Sequence, residues 1–145
     1  MAFQSPLAAV LRVRESIERR EERALHRVRS SVARVEAQME RLRAAMDEAR
    51  RQREQALRES IPSGHLQALL REEVLAEERG KLLQAEMQRL HQELQGQIKA
   101  YQAAHQDREM LSEMLQRQRE AFQRRQRHEE QKRLDDVFLA RRSRR

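Results

Sequence analysis

Five histidines, His26, His65, His91, His105 and His128, are the side chains that could hold a metal or move a proton near neutral pH. A metal site on a helix needs two ligands one turn apart, as in HxxxH or HExxH, and no two of these histidines have that spacing. They read as solvated surface residues. The chain has no cysteine, which removes thiolate nucleophiles, thiolate zinc sites and disulfides, and fits a reducing compartment. It carries no glycine-rich phosphate loop, no G-x-S-x-G elbow and no Ser/His/Asp set that could meet in a pocket. No catalytic residue, metal or cofactor is expected, and the chain reads as a non-enzyme.

The chemistry that remains is recognition. Net charge is +7, unevenly spread: +4 over residues 1–60, −3 over 61–116 and +6 over 117–145. Phosphate contacts need only positive charge, so the arginine-rich end raises the reading of a basic nucleic-acid-binding coiled coil. Its cations are interleaved with Glu and Asp, and no aromatic stacking platform accompanies them. No nucleic acid is therefore expected as a partner. Arg141, Arg142, Arg144 and Arg145 raise membrane-surface binding in the same way. A third reading is a general structural coiled coil with a solvated charged face.

What must position any of these groups is helix. With 38% charged and 3% aromatic residues the chain cannot build a globular core, and its composition is that of a long helix or coiled coil. Nothing in it resembles a signal peptide or a run of about 20 apolar residues that could span a membrane. One break stands out: Ser60-Ile61-Pro62-Ser63-Gly64-His65. Pro62 lacks an N–H and restricts Ile61, Gly64 tolerates positive φ, and Ser63 is placed to cap a second helix. The expected layout is helix one over 7–59, a turn over 60–64 and helix two over 65–142. Ser5 as cap and Pro6 at the first helical position start helix one.

On helix one the apolar residues begin at Leu7, Val10, Leu11, Ile17, Ala24 and Leu25. They then alternate by three and four through Val28, Val32, Val35, Met39, Leu42, Met46 and Ala49, a left-handed coiled-coil seam. Helix two repeats the spacing at Leu83, Met87, Leu90, Leu94, Tyr101, Ala104, Leu111, Leu115 and Phe122, with Gly80, Gln97, Arg108 and Gln118 also on the seam. Gly80 reads as a soft point or a place of close approach. A fold-back at Pro62 pairs residues whose numbers add up to 125 or 126, so Leu42 meets Leu83, Met39 meets Met87 and Val35 meets Leu90. Two seams found separately meet where the turn requires. The fold class is all-α, a long antiparallel two-helix coiled-coil hairpin, with a swapped dimer still open.

The same register sets Leu7 opposite Gln118, so residues 119–145 have no partner on helix one. If helical, this overhang reaches about 40 Å further. It is basic and contains Phe122, Leu134, Val137 and Phe138, apolar residues suited to another protein.

The string Glu130-Gln131-Lys132-Arg133-Leu134-Asp135-Asp136-Val137-Phe138-Leu139-Ala140-Arg141 resembles the C-terminus of the FliJ family of flagellar type III export proteins. Leu7-Ala8-Ala9-Val10-Leu11-Arg12-Val13-Arg14-Glu15 resembles the family's start. The related stalk proteins of injectisomes share the layout. The resemblance implies a non-enzymatic stalk and chaperone-like component of the flagellar type III export apparatus, in the cytoplasm and peripheral to the inner membrane only through its partners. It implies three of these: the hexameric flagellar export ATPase, whose assembly the protein promotes, the cytoplasmic domain of an export-gate membrane protein, and export chaperones. Carried onto this chain, ATPase contact falls to Phe122, Lys132, Arg133, Leu134, Asp135, Val137, Phe138 and Arg141. The turn end, with Leu66, Leu69, Leu70 and Val74, would face the gate.

Overall fold

The computed structural model describes residues 2–144; Met1 and Arg145, the latter one of the four arginines weighed above for membrane binding, lie outside the described residues. Two helices account for the chain, α1 (Leu7–Arg58) and α2 (Ser63–Ser143), packed against each other as a helical hairpin, with no strand among the described residues. α1 starts as its sequence dictates. The Leu7 N–H donates to Ser5 Oγ (3.2 Å) and the Ala8 N–H to the Ser5 carbonyl (3.2 Å), with Pro6 between them needing no bond.

The turn is built differently from the expectation that Gly64 supplies a left-handed residue and Ser63 a cap. The left-handed residue is Ser60, at φ 53°, and no glycine has positive φ. Around it the Ile61 N–H reaches back to the Ala56 carbonyl (3.3 Å), the six-residue closure of a Schellman motif. Pro62 then cannot extend α1, and its carbonyl is free to open α2. It accepts from the His65 N–H (3.0 Å) and the Leu66 N–H (3.4 Å). Ser63 and Gly64 are consequently helical, and α2 begins two residues before the expected start at 65. Pro62 governs the break, but through what it does to the residues before it.

Packing divides the chain into two units. The first, Glu22–Ala100, contains the turn. Its core is Leu25, Val28, Val35 and Ala56 from α1 with Leu69 and Leu90 from α2. Val32, Met39, Leu42, Met46, Leu83, Met87 and Leu94 are half-buried around it. That is the three–four seam of the sequence, carried to Ala56 and Leu69. Arg53 Nη1 donates to Glu73 Oε2 at 2.6 Å across the helices. This pair obeys the register drawn from the turn. Gly80 faces Leu42, and an added Cβ there would sit 3.6 Å from Leu42 Cδ2. The helices are thus not pressed together at Gly80; a groove of about 380 Å³ opens beside it, lined by Met39, Leu42, Met46 and Gln84 among others.

The second unit comprises the residues up to Glu21 and those from Tyr101 onward. Ala104 and Leu115 are its buried centre, with Leu11, Ile17, Tyr101 and Leu111 half-covered. Val10, expected with the first apolar residues of helix one, is 44% exposed and lies beside the seam. Polar residues do much of the joining here. Arg108, on the seam, donates Nε to Glu18 Oε2 at 2.5 Å, and His105 Nδ1 lies 3.2 Å from Glu18 Oε1. Arg14 pairs with Asp107 at 3.3 Å.

Candidate partner-binding site

Helix α2 continues to Ser143 although nothing covers its last turns: every described residue from Arg127 onward is exposed. The stretch from Arg127 to Arg142 has no Gly or Pro, and Gln131 Nε2 donates to Asp135 Oδ1 one turn on (3.1 Å). Arg141 and Arg142 sit in the last turn, where cations complement the helix dipole. Helical order here rests on local propensity and charge placement rather than on packing.

That order fixes what the end presents. Leu134, Val137, Phe138 and Arg141 follow one another at i, i+3, i+4 and i+7, so they share a face. Leu134 and Phe138 are 65% and 66% exposed, values that leave most of each side chain open to a partner. Leu139, 61% exposed, points away from this face, about 140° round the helix from Leu134. Arg133 and Asp135 flank the strip about a quarter-turn to either side, Arg141 lies on it, and Lys132 is exposed on the opposite side of the helix. An arrangement of this kind can bury an apolar ridge in a groove rimmed by carboxylates; it has no convergent polar groups and no enclosure for a reaction.

Phe122 is the exception among the C-terminal residues singled out from sequence. Its ring packs on Phe3 with centroids 5.4 Å apart, and the Arg119 guanidinium lies over the same Phe3 ring at 5.9 Å. Ser5 Oγ donates to Gln118 Oε1 at 2.6 Å. The residues before α1 therefore continue along α2, and the fully exposed stretch begins at Arg127 rather than at residue 119. Phe122 anchors the exposed end; its ring is half-buried. The aromatic pair was readable in principle, because residues 3 and 122 add up to the same 125 as the seam pairs.

Below this anchor, Glu18 ties the two helices. The hydrogen bond from Arg108 holds its carboxyl below the ordinary carboxylate range, with help from His105, and the Arg108 guanidinium is shifted upward in return. The polar seam position at Arg108 thus has an assigned partner, and that partner sits at the register the turn sets.

At the turn-bearing unit the four sequence-selected residues divide. Leu69 is part of the core and Leu66 is half-buried, whereas Leu70 and Val74 are exposed. Leu75, 63% exposed and not singled out from sequence, completes a shallow apolar concavity with Leu70, Arg71 and Val74. The signal was present: running the seam back from Leu90 and Leu83 through Gly80 places Leu69, Glu73 and Ala76 inside, which leaves 70, 74 and 75 outside.

Among the described residues no three His, Asp or Glu side chains group as a metal site requires, and no helix is long and apolar enough to cross a membrane. No curated protein and no solved structure matches the chain. The profile of the family described as flagellar FliJ protein matches residues 3–145. That match runs from the aromatic anchor at Phe3 through both helices and the exposed C-terminal strip. The chain belongs to the flagellar FliJ family, and with it to the components of the flagellar export apparatus.

Proposed function

We propose that this protein is a non-enzymatic coupling stalk of the export apparatus, which inserts the exposed end of α2 into the hexameric export ATPase and promotes its assembly. The observation that carries the reading is the helical, uncovered strip of Leu134, Val137 and Phe138, with Arg141 on it and Arg133 and Arg142 beside it. An apolar ridge with a cationic border gives short-range contact and long-range orientation together. A single helix within a ring of six subunits meets them unequally, and only such unequal binding can bias their conformations.

The exposed Leu70, Val74 and Leu75 of the turn-bearing unit supply the surface for the export gate, and contact with export chaperones completes the role. The protein works in the cytoplasm and reaches the membrane through these partners. A chain ending after Gln126 tests the reading, since it keeps the Phe3–Phe122 anchor and removes only the exposed strip. Hydrolysis by the export ATPase, measured with and without this shortened chain, loses its stimulation. Full stimulation by the shortened chain refutes the stalk role.

A further inference from the structure

The strip at the exposed end of α2 is self-complementary. Its face carries Glu130, Leu134, Val137 and Arg141, spaced by four, three and four, the step of a left-handed coiled-coil seam. Read backwards, the spacing is the same. Leu134 and Val137 lie equally far from the midpoint between residues 135 and 136, and so do Glu130 and Arg141, which carry opposite charges.

Two copies of this stretch can be laid antiparallel, with residues meeting where their numbers add up to 271. Leu134 of each then faces Val137 of the other, and Glu130 of each faces Arg141 of the other. The two-fold axis makes both pairings occur twice. A parallel arrangement would set Glu130 against Glu130 and Arg141 against Arg141, which opposes it. Within the chain, neither Glu130 nor Arg141 has an ion-pair partner among the described residues. Nothing in the hairpin stands in the way. Residue 144 of one copy lies level with residue 127 of the other, so the two meet only along uncovered helix. Leu134 is also about 120° round α2 from Phe122, which marks the side that Phe3 occupies.

The remaining charges do not reverse this selection. Over residues 127–144 six Lys/Arg stand against four Asp/Glu, a net +2 per copy, and that repulsion is screened by salt. Arg127 and Arg144 meet as like charges at the outer ends of the overlap, in open solvent. Arg133, Asp135 and Arg142 lie about a quarter-turn off the face, and Glu129, Lys132 and Asp136 are on its far side. We infer that the strip pairs with the strip of a second copy, antiparallel about a two-fold axis, in a reversible dimer. The contact is short, about three turns between the ion pairs, so the dimer is weak. The pairing does not depend on the proposed function. It uses the residues given there to the export ATPase, so where that reading holds, dimer and ATPase exclude each other.

Sedimentation equilibrium of the full chain alone, from micromolar to millimolar concentration, tests the pairing. The unaltered chain is expected to dimerise reversibly. Glu130→Arg and Arg141→Glu, both at exposed sites, should each weaken the dimer roughly tenfold, because two attractive pairs become two repulsive ones. Arg141→Glu also takes the tail from +2 to zero, so an effect of total charge alone would strengthen its association. An equal mixture of the two variants should recover the dimer, since each mixed dimer again contains two attractive pairs. A chain that stays single at every concentration overturns the inference. So does a dimer that both reversals leave intact, which assigns the association to another surface or to exchange at the turn. A loss that the mixture does not restore overturns it as well. No ATPase is present in these measurements, so their outcome leaves the stalk reading to its own test.

Discussion

Replacing Gly80 by alanine should make the turn-bearing unit more stable. Glycine inside a helix costs about 1 kcal/mol relative to alanine, chiefly as backbone entropy. At this position the new methyl meets nothing closer than Leu42 Cδ2 at 3.6 Å, an ordinary contact, so no strain offsets the gain. Gly80 is only half-buried and the groove beside it is open, so packing adds a fraction of the ~0.8 kcal/mol that a fully buried methylene contributes. The total is about 1–1.5 kcal/mol, worth roughly 3–5 °C in midpoint for a chain of this size. Gly96 supplies the control. It is exposed with open space where a Cβ would go, so Gly96→Ala reports the propensity part alone. Thermal unfolding followed by circular dichroism compares the two variants with the unaltered chain. A midpoint at or below the unaltered value for Gly80→Ala, beside a rise for Gly96→Ala, would refute the reasoning and mean that the helices need the glycine to approach.

Ser60→Gly should stabilise the hairpin by about 1 kcal/mol in denaturant titration, because Ser60 sits at φ 53°, which costs an L-residue roughly that much; Ser60→Val should do the reverse. Glu18 titrates below the ordinary carboxylate range in the folded chain because Arg108 and His105 hold it. Its contribution is therefore complete above the unfolded carboxylate value and is lost as pH falls through the depressed one. The difference in stability between the unaltered chain and Glu18→Gln should shrink toward acid pH, and a constant difference would contradict this. Phe3→Ala and Phe122→Ala should be coupled by about 0.5–1.5 kcal/mol in a double-mutant cycle, as tilted aromatic pairs are, and additive effects would show that the anchor is not formed.

The seam was legible because three–four spacing survives in every stretch where apolar side chains meet. Val28, Val35, Leu90, Ala104 and Leu115 are buried where the periodicity places them. The register was legible too, since one turn position constrains every pair; Arg53–Glu73 and Glu18–Arg108 obey it in their separate units. The turn's internal geometry was not. Propensity points to Gly64 for a left-handed residue, but Pro62 requires α1 to end before it, so the position falls on Ser60 regardless of its side chain. The expected overhang began at residue 119 because only helical residues were paired, whereas Phe3 and Ser5 reach α2 from an extended segment that carries no periodic signal. For the same reason the candidate turn-end surface mixed inward and outward residues: a cluster of leucines shows abundance, and only the seam phase separates Leu69 from Leu70.

The central claim, that the uncovered strip on α2 engages the export ATPase, is tested most directly by measuring ATPase stimulation with two full-length variants. Leu134→Ala with Phe138→Ala removes apolar contact from the strip, and Leu70→Ala with Val74→Ala removes it from the turn-bearing unit. Both pairs are exposed, so the fold should persist in each. Stimulation should be lost with the first pair and kept with the second. Retained stimulation by Leu134→Ala with Phe138→Ala would contradict the account.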